Sequence, residues 1–386
     1  MGILRLLLAI AVLETHVFQF LKQPETGGVG LVTAHVAVQI FFIISGFYMA
    51  LILHEKYTRP GDYGLFLLQR FLRLYPAYLV VLVIIIVLEL GVLAISGTAL
   101  GPLHYLRKYP QMQSPFSLGA YGLIDLTVLG LQWLCFFWQD CTTGQLYFGE
   151  PPPGTLSVSC NAFTFNRPAW TLAIEFCFYI IAPLIVRRSV TFQSVLLGVV
   201  VLLRYAIFYS TIWNKMDWLA SFFPLVLGFF IAGSLGYRFY RRYLKARDSQ
   251  PAWVPWGLSV FAIILLCYGR LPHKDDFDVL LIPSIAVMIP FLFAVTRKLA
   301  WDRAVGDLSY SFYLTHWLTI LVLMGCPNLG VSAWIEPGCF VCTLAMAFLL
   351  HICLERRIES WRAALFQETR VEAPLPRASS DFCVKK

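Results

Sequence analysis

The sequence predicts an all-α, polytopic transmembrane helix bundle of about ten spans, and three observations carry that expectation. Of 386 residues, 59% are hydrophobic and only 13% charged, with mean hydropathy +0.70; soluble domains carry about 25% charged residues. Apolar runs of membrane-crossing length recur along the whole chain. The basic residues gather in short clusters between those runs, as topology determinants do. The net charge of +8 therefore belongs to contact with a lipid bilayer, and no nucleic-acid partner is expected.

The first run, 3–20, has the length of a secretory leader. No small-residue cleavage site follows it, and Glu14 and His16 lie inside it, so it reads as a retained span. Further runs suited to spans lie at 36–53, 76–95, 169–186, 193–210, 218–236, 254–269, 277–296, 308–325 and 335–353. Basic clusters follow the second span (Arg59, Arg70, Arg73), the fourth (Arg187, Arg188), the sixth (Arg238 to Arg247), the eighth (Arg297, Lys298, Arg303) and the last (Arg356, Arg357, Arg362). All can be cytoplasmic at once, with both termini inside, if 97–168 begins and ends outside. The apolar run 120–138 then cannot cross, and is expected to be an external re-entrant or interfacial segment. The transmembrane domain is taken as 1–353. Residues 354–386 form a cytoplasmic tail, disordered from about Thr369 onward.

Ten cysteines include no set of CxxC pairs at metal-like spacing, Cys339-x2-Cys342 standing alone, and no zinc, P-loop, dinucleotide or nucleophile-elbow motif is present. No metal site is expected. Cys141 and Cys160 lie in the external stretch, where a disulfide and two free thiols are both open readings. A short external loop near 326–338 lies close to Cys326, Cys339 and Cys342.

Several stretches carry more polarity than a lipid-embedded structure needs. Arg5 and His16 are eleven residues apart. On a helix that returns to within about 20° of the same face, about 16 Å along the axis. An ionisable group near mid-membrane costs about 2.5–3.5 kcal/mol on insertion scales, so such a stripe is either functional or an anchored and hydrogen-bonded structural pair. Ser45-Gly46, mid-span, is a packing notch or a substrate contact. Arg70 and Arg73, three apart, share a helix face and suit a phosphate-bearing ligand or plain positive-inside anchoring. Glu175 lies about five residues into its span, below Trp170 at the outer interface. It can orient His16 as the carboxylate of a base–acid pair, or hydrogen-bond a structural Arg or Tyr. Ser309, Tyr313 and His316 share another helical face, which suggests a lined cavity.

In order along the chain, Arg5-x10-His16, FFIISGF at 41–47, RFLRLYP at 70–76, PAWTLAIEFCFY at 168–179, LSYSFYLTHW at 308–317 and LERRIES near Glu355 resemble the acyltransferase-3 family of membrane acyltransferases. The resemblance covers nearly the whole chain. It implies a ten-span bundle in which the Arg-x10-His pair is needed for activity, so Arg5 and His16 take that role here. By position it also carries over Arg70, Arg73, Glu175 and the Ser45 motif. Glu14 beside the pair is less usual for the family. The extra extracytoplasmic SGNH-type domain of some members is not expected.

The resemblance implies acetyl-CoA, or another acyl-CoA, as cytoplasmic donor, and a hydroxyl of an envelope carbohydrate or lipid-linked glycan as acceptor, in a bacterial inner membrane. No permanently bound cofactor is expected. The expected catalytic set is His16, Arg5 and Glu175; Arg70 and Arg73 bind coenzyme A; Ser45, Trp170, Tyr313 and His316 contact substrate. The 16 Å from Arg5 to His16 is of the order of an extended pantetheine arm. His16 acts as general base, or carries the acyl group transiently. The rival from another class is a transporter or flippase of a glycan or lipid-linked substrate, because membrane His, Arg and Glu also mark substrate and proton pathways.

Overall fold

A computed structural model describes residues 1–21, 32–59, 61–212, 215–247, 253–268, 274–325 and 334–372. Each of the ten apolar runs is mostly helical over its described residues. The helices in chain order are α1 (Gly2–Leu21), α2 (Ala34–Glu55), α3 (Asp62–Ser96), α4 (Gly101–Lys108), α5 (Pro115–Thr127), α6 (Trp170–Val186), α7 (Val190–Tyr209), α8 (Lys215–Ser221), α9 (Phe223–Phe239), α10 (Trp253–Cys267), α11 (Lys274–Thr296), α12 (Ala300–Met324), α13 (Ile335–Leu350) and α14 (Arg356–Glu372). Among the described residues, seven helical stretches are long and apolar enough to cross a membrane. They include α1, α2, α3, α6 and α7, together with α9 and α13 and their continuations. Of the other expected spans, α10 and α11 present shorter apolar stretches among the described residues, and α12 carries Asp302, Arg303 and Asp307 in its first two turns. Outward-facing Val83, Val87, Val195 and Leu202 are more than half exposed, an apolar surface suited to lipid rather than water. The protein is an integral membrane protein.

Two close helix crossings hold the centre. At the α1–α12 crossing a Cβ on Gly2 would meet the Asp302 carbonyl oxygen at 1.6 Å, and one on Gly306 would meet the Gly2 Cα at 2.8 Å. At the α2–α9 crossing a Cβ on Gly46 would meet the Phe230 carbonyl at 2.0 Å, and one on Gly233 the Ile43 carbonyl at 1.9 Å. Where lipid supplies no hydrophobic drive between helices, such backbone approach is what packs them. The Asp302 carboxylate also receives the first amides of α1, from Gly2 at 2.9 Å and Ile3 at 3.0 Å. One side chain of α12 thus satisfies donors that a helix start leaves orphaned.

The bundle has two distinct ends. At one, Arg187 donates to the Tyr57 carbonyl (2.7 Å), Arg238 to that of Val186 (2.7 Å), and Lys245 pairs with Glu55 (2.7 Å). Helix α14 returns to this basic end: Gln69 donates to the Arg362 carbonyl at 2.8 Å, and Phe366 packs on Tyr57 with ring centroids 5.6 Å apart. The segment after 353 is therefore helical to Glu372, and its final residues, 373–386, lie outside the described set.

At the opposite end a small antiparallel sheet of β1 (Phe137–Asp140), β2 (Leu146–Phe148) and β3 (Ser157–Ser159), ordered β2-β1-β3, pairs Trp138 with Tyr147 and Gln139 with Val158. The run 120–138 is not one element. Helix α5 ends at Thr127 and is followed by buried Val128 at φ 66°, a left-handed geometry unusual for a β-branched residue. Tyr75 and Tyr78 of α3 donate to the Leu126 and Asp125 carbonyls, each at 2.7 Å. The end of α5 is therefore seated roughly 20–24 Å along α3, inside the bundle's length.

Cys141 and Cys160 are buried free thiols, so the disulfide reading is corrected. Cys160 Sγ accepts from the Tyr121 hydroxyl at 3.3 Å, and burial pushes its thiol up to about 11. On the same segment the hydroxyl and amide of Thr142 hold the Asp140 carboxyl down to about 2. Cys339 is buried and Cys342 exposed, both as free thiols; the loop residues 326–333 lie outside the described set.

Candidate active site

A cavity of about 410 Å³ lies in the basic half of the bundle, between α1, α2, α3, α6, α11 and α12. Five arginines line it: Arg5 of α1, Arg70 and Arg73 of α3, Arg297 just after α11 and Arg303 of α12; the first three lie inside the apolar runs of α1 and α3 or at their threshold. The three-residue spacing of Arg70 and Arg73 brings both to one wall. Arg73 and Asp307 line the cavity while remaining exposed, so they stand at its mouth; Arg70 is 6% exposed, and its Nε has no hydrogen-bond partner. The ion pairs among the described residues are Met1–Asp302, Lys245–Glu55 and His351–Glu355, so none of the Arg5, Arg70 and Arg73 guanidiniums is closed by a carboxylate. Unpaired, partly desolvated guanidiniums on a concave wall attract and orient an anion. Ser45, Tyr48 and Glu175 complete the wall. Tyr179 donates to Glu175 Oε2 at 3.1 Å, and Tyr310 of α12 donates to the Leu74 carbonyl at 2.7 Å, locking α12 against α3.

On α12 the cavity lining runs from Asp302 to Tyr313 and stops one turn short of His316. The Tyr313 hydroxyl is held by Thr171 Oγ1 at 3.0 Å and by the Pro168 carbonyl at 3.2 Å. Beyond it, His16 Nδ1 lies 3.0 Å from His316 Nε2, with the two rings stacked at 5.2 Å and 21°. His316 is fully buried, and its Nδ1 is bonded to the Tyr313 carbonyl; His16 is half-buried. Phe20 and Trp317 stand edge-on to His16 at 5.7 and 6.0 Å. The half-buried Arg167 guanidinium covers the same two rings at 5.4 and 5.9 Å.

The structure thus brings Arg5, Arg70, Arg73, Ser45, Glu175 and Tyr313 to one cavity, and His16 and His316 to a pair just behind it. Trp170, the first residue of α6, is half-buried against the core and lies off the cavity wall. The expected His16–Glu175 pair does not form. Arg167, level with His16 through Phe20 and Trp317, precedes Glu175 by eight residues, which is about 12 Å along the helix. That distance carries Glu175 back to the level of the arginines. Sequence reasoning missed Tyr48, Asp307, Arg167 and the aromatic pair Phe20–Trp317. Arg167, a charge at the threshold of a span, was the visible signal among them.

A family model described as an acyltransferase domain matches residues 1–356. Among curated proteins the chain is similar to nodulation protein 10 of Rhizobium leguminosarum bv. viciae, with 25% identity over 387 residues covering 94% of each chain. No solved structure matches.

Proposed function

Because the chain belongs to the acyltransferase-3 family and is a membrane acyltransferase, we propose that it transfers an acetyl group from acetyl-CoA to a hydroxyl of an envelope carbohydrate or lipid-linked glycan. The single observation that carries this reading is the cavity where Arg5, Arg70 and Arg73 converge without carboxylate partners. Coenzyme A presents phosphates at one end and a thioester at the end of a long arm. Phosphates suit the guanidinium fork, and the distance from Arg5 to His16, about 16 Å along α1, matches the reach the arm needs. The density of basic side chains at the cavity's end of the bundle supports placing that end in the cytoplasm, where acyl-CoA is made, with both termini on that side of a bacterial inner membrane. The sheet end then faces the acceptor.

The chemistry follows from the placement. The phosphates dock on Arg5, Arg70 and Arg73, while Glu175 on the same wall, held by Tyr179, draws the guanidiniums toward it and orients them. The arm passes Ser45 and Tyr313, which narrow the route, and delivers the thioester beside His16. His16 takes the proton of the acceptor hydroxyl as its oxygen attacks the thioester carbon. The C–S bond breaks, an ester C–O bond remains, and the proton on His16 passes to the departing thiolate. His316 stands behind His16 on α12, and Trp170, at the start of α6, belongs to the acceptor side.

The test is transfer of radiolabel from acetyl-CoA in membranes holding wild type or His16→Ala, with envelope glycans supplied. Label is expected in a glycan with wild type and at least about 10²-fold less with the variant, the ordinary worth of a general base. Equal labelling by both would overturn the assignment of His16. Movement of a glycan without any acyl donor would return the transporter.

A further inference from the structure

We propose that His316 is a positioning residue that fixes His16 as the Nδ1–H tautomer, leaving His16 Nε2 as the basic nitrogen. The argument is one of proton counting. A carbonyl oxygen has no proton to give, so the His316 Nδ1 bonded to the Tyr313 carbonyl must be the N–H donor. A neutral imidazole carries one N–H, so His316 Nε2 holds a lone pair. His16 Nδ1, 3.0 Å from that lone pair, must then donate. Its own proton is placed on Nδ1, and Nε2 is left with a lone pair and no partner among the described residues.

Free imidazole side chains favour the opposite tautomer, with the proton on Nε2. The carbonyl–His316–His16 chain therefore imposes the less common form, as a hydrogen-bond acceptor behind a metal-bound or catalytic histidine fixes its tautomer elsewhere. His316 is suited to this because nothing else competes for it. It is fully buried, both its nitrogens are engaged, and its ring lies only 21° from parallel to His16. It differs from the carboxylate of a hydrolase triad in being neutral, so it adds no fixed charge of its own beside His16. When His16 gains the acceptor's proton at Nε2, its Nδ1–H bond to His316 strengthens, and the new positive charge is spread toward a second ring and the Tyr313 carbonyl.

This inference rests on the reading of His16 as the general base, and two independent measurements separate the two claims. The first is solid-state NMR of the lipid-reconstituted protein with its seven histidines labelled with ¹³C and ¹⁵N. The His16 signal is identified by its loss in His16→Ala. It is expected as the Nδ1–H tautomer in wild type and as the Nε2–H tautomer in His316→Phe. An Nε2–H tautomer in wild type, or no change in His316→Phe, overturns the proposal whatever the enzyme does.

The second is steady-state transfer from acetyl-CoA to envelope glycans. His316→Phe keeps a planar ring but no acceptor, and is expected to lower kcat about 10²-fold with KM for acetyl-CoA within about twofold. His316→Gln places an amide oxygen near the lost Nε2, and is expected to stay within about tenfold of wild type. Equal loss in Phe and Gln variants, or a loss confined to KM, means that His316 only fills space. Absence of transfer by wild type itself would sink the acetyltransferase reading and leave the tautomer measurement to decide this one.

Discussion

At the scale of single residues, the site separates two jobs that the sequence lists side by side. Arg5, Arg70 and Arg73 supply positive charge to one cavity, while His16 works behind Tyr313 with His316 as neighbour. If the arginines hold the donor's phosphates, Arg70→Gln and Arg73→Gln should each raise KM for acetyl-CoA roughly tenfold or more, since a hydrogen bond to a charged group is worth about 1.5–3 kcal/mol. The Lys variants should recover part of that loss, because charge returns but the two-pronged geometry does not. Saturation curves against acetyl-CoA measure both, and unchanged KM in the Gln variants would move the donor elsewhere. The residues themselves were legible in the sequence: charges inside apolar runs are conspicuous because they are costly. Their partnerships were not. Counting residues into a span suggested Glu175 for His16, whereas the packing of α12 on α1 brings His316, 300 positions away, and no local spacing encodes that.

At the scale of elements, glycine marks where helices touch. The Ser45-Gly46 notch was legible as a small-residue break in an apolar run, and the structure puts it against the Phe230 carbonyl. Gly46→Ala must push α9 away and should lower stability by about 1–3 kcal/mol, the usual cost of overpacking. At Gly91 in α3 an added methyl group would meet nothing within 4 Å, so Gly91→Ala should be neutral or stabilise by up to about 1 kcal/mol through the unfolded chain. Thermal unfolding in detergent micelles compares the two, and equal shifts would deny the crossing its role. The three-stranded sheet escaped the sequence reading because its strands have only four, three and three residues, too short for alternation to register. The run 120–138 escaped for a different reason: its apolar content is shared among an α-helix, a left-handed turn, a 3-10 helix at Leu131–Phe136 and a strand.

At the scale of the whole molecule, α7 alone is long enough to set the two ends about 30 Å apart, with basic side chains at one and the sheet at the other. Thr143, on the loop after β1, and Ser360, on α14, are both exposed, and each can carry a cysteine in a background without native ones. With the assigned orientation, an impermeant maleimide should label Thr143→Cys in intact cells and Ser360→Cys only after permeabilisation. The reverse pattern would place the arginine cavity on the side without acyl-CoA and refute the proposed direction of transfer. The helical class and the alternation of basic clusters were legible from composition alone, because lipid constrains composition strongly. The return of α14 to Gln69 was not, since it rests on a few contacts to residues some 300 positions away, which no local pattern encodes.

The anchoring of α1 by Asp302 has a consequence in time. The first helix leaves the ribosome some 300 residues before the carboxylate that receives its opening amides. At about 5–20 residues per second, the interval is about 15–60 s. Throughout it, α1 sits in the membrane with Arg5, Glu14 and His16 and without α12. The newborn chain therefore needs either a temporary neighbour in the insertion machinery or shelter at the lipid boundary. A ribosome stalled before α12 would leave a first helix that is inserted late, held by a chaperone, or degraded.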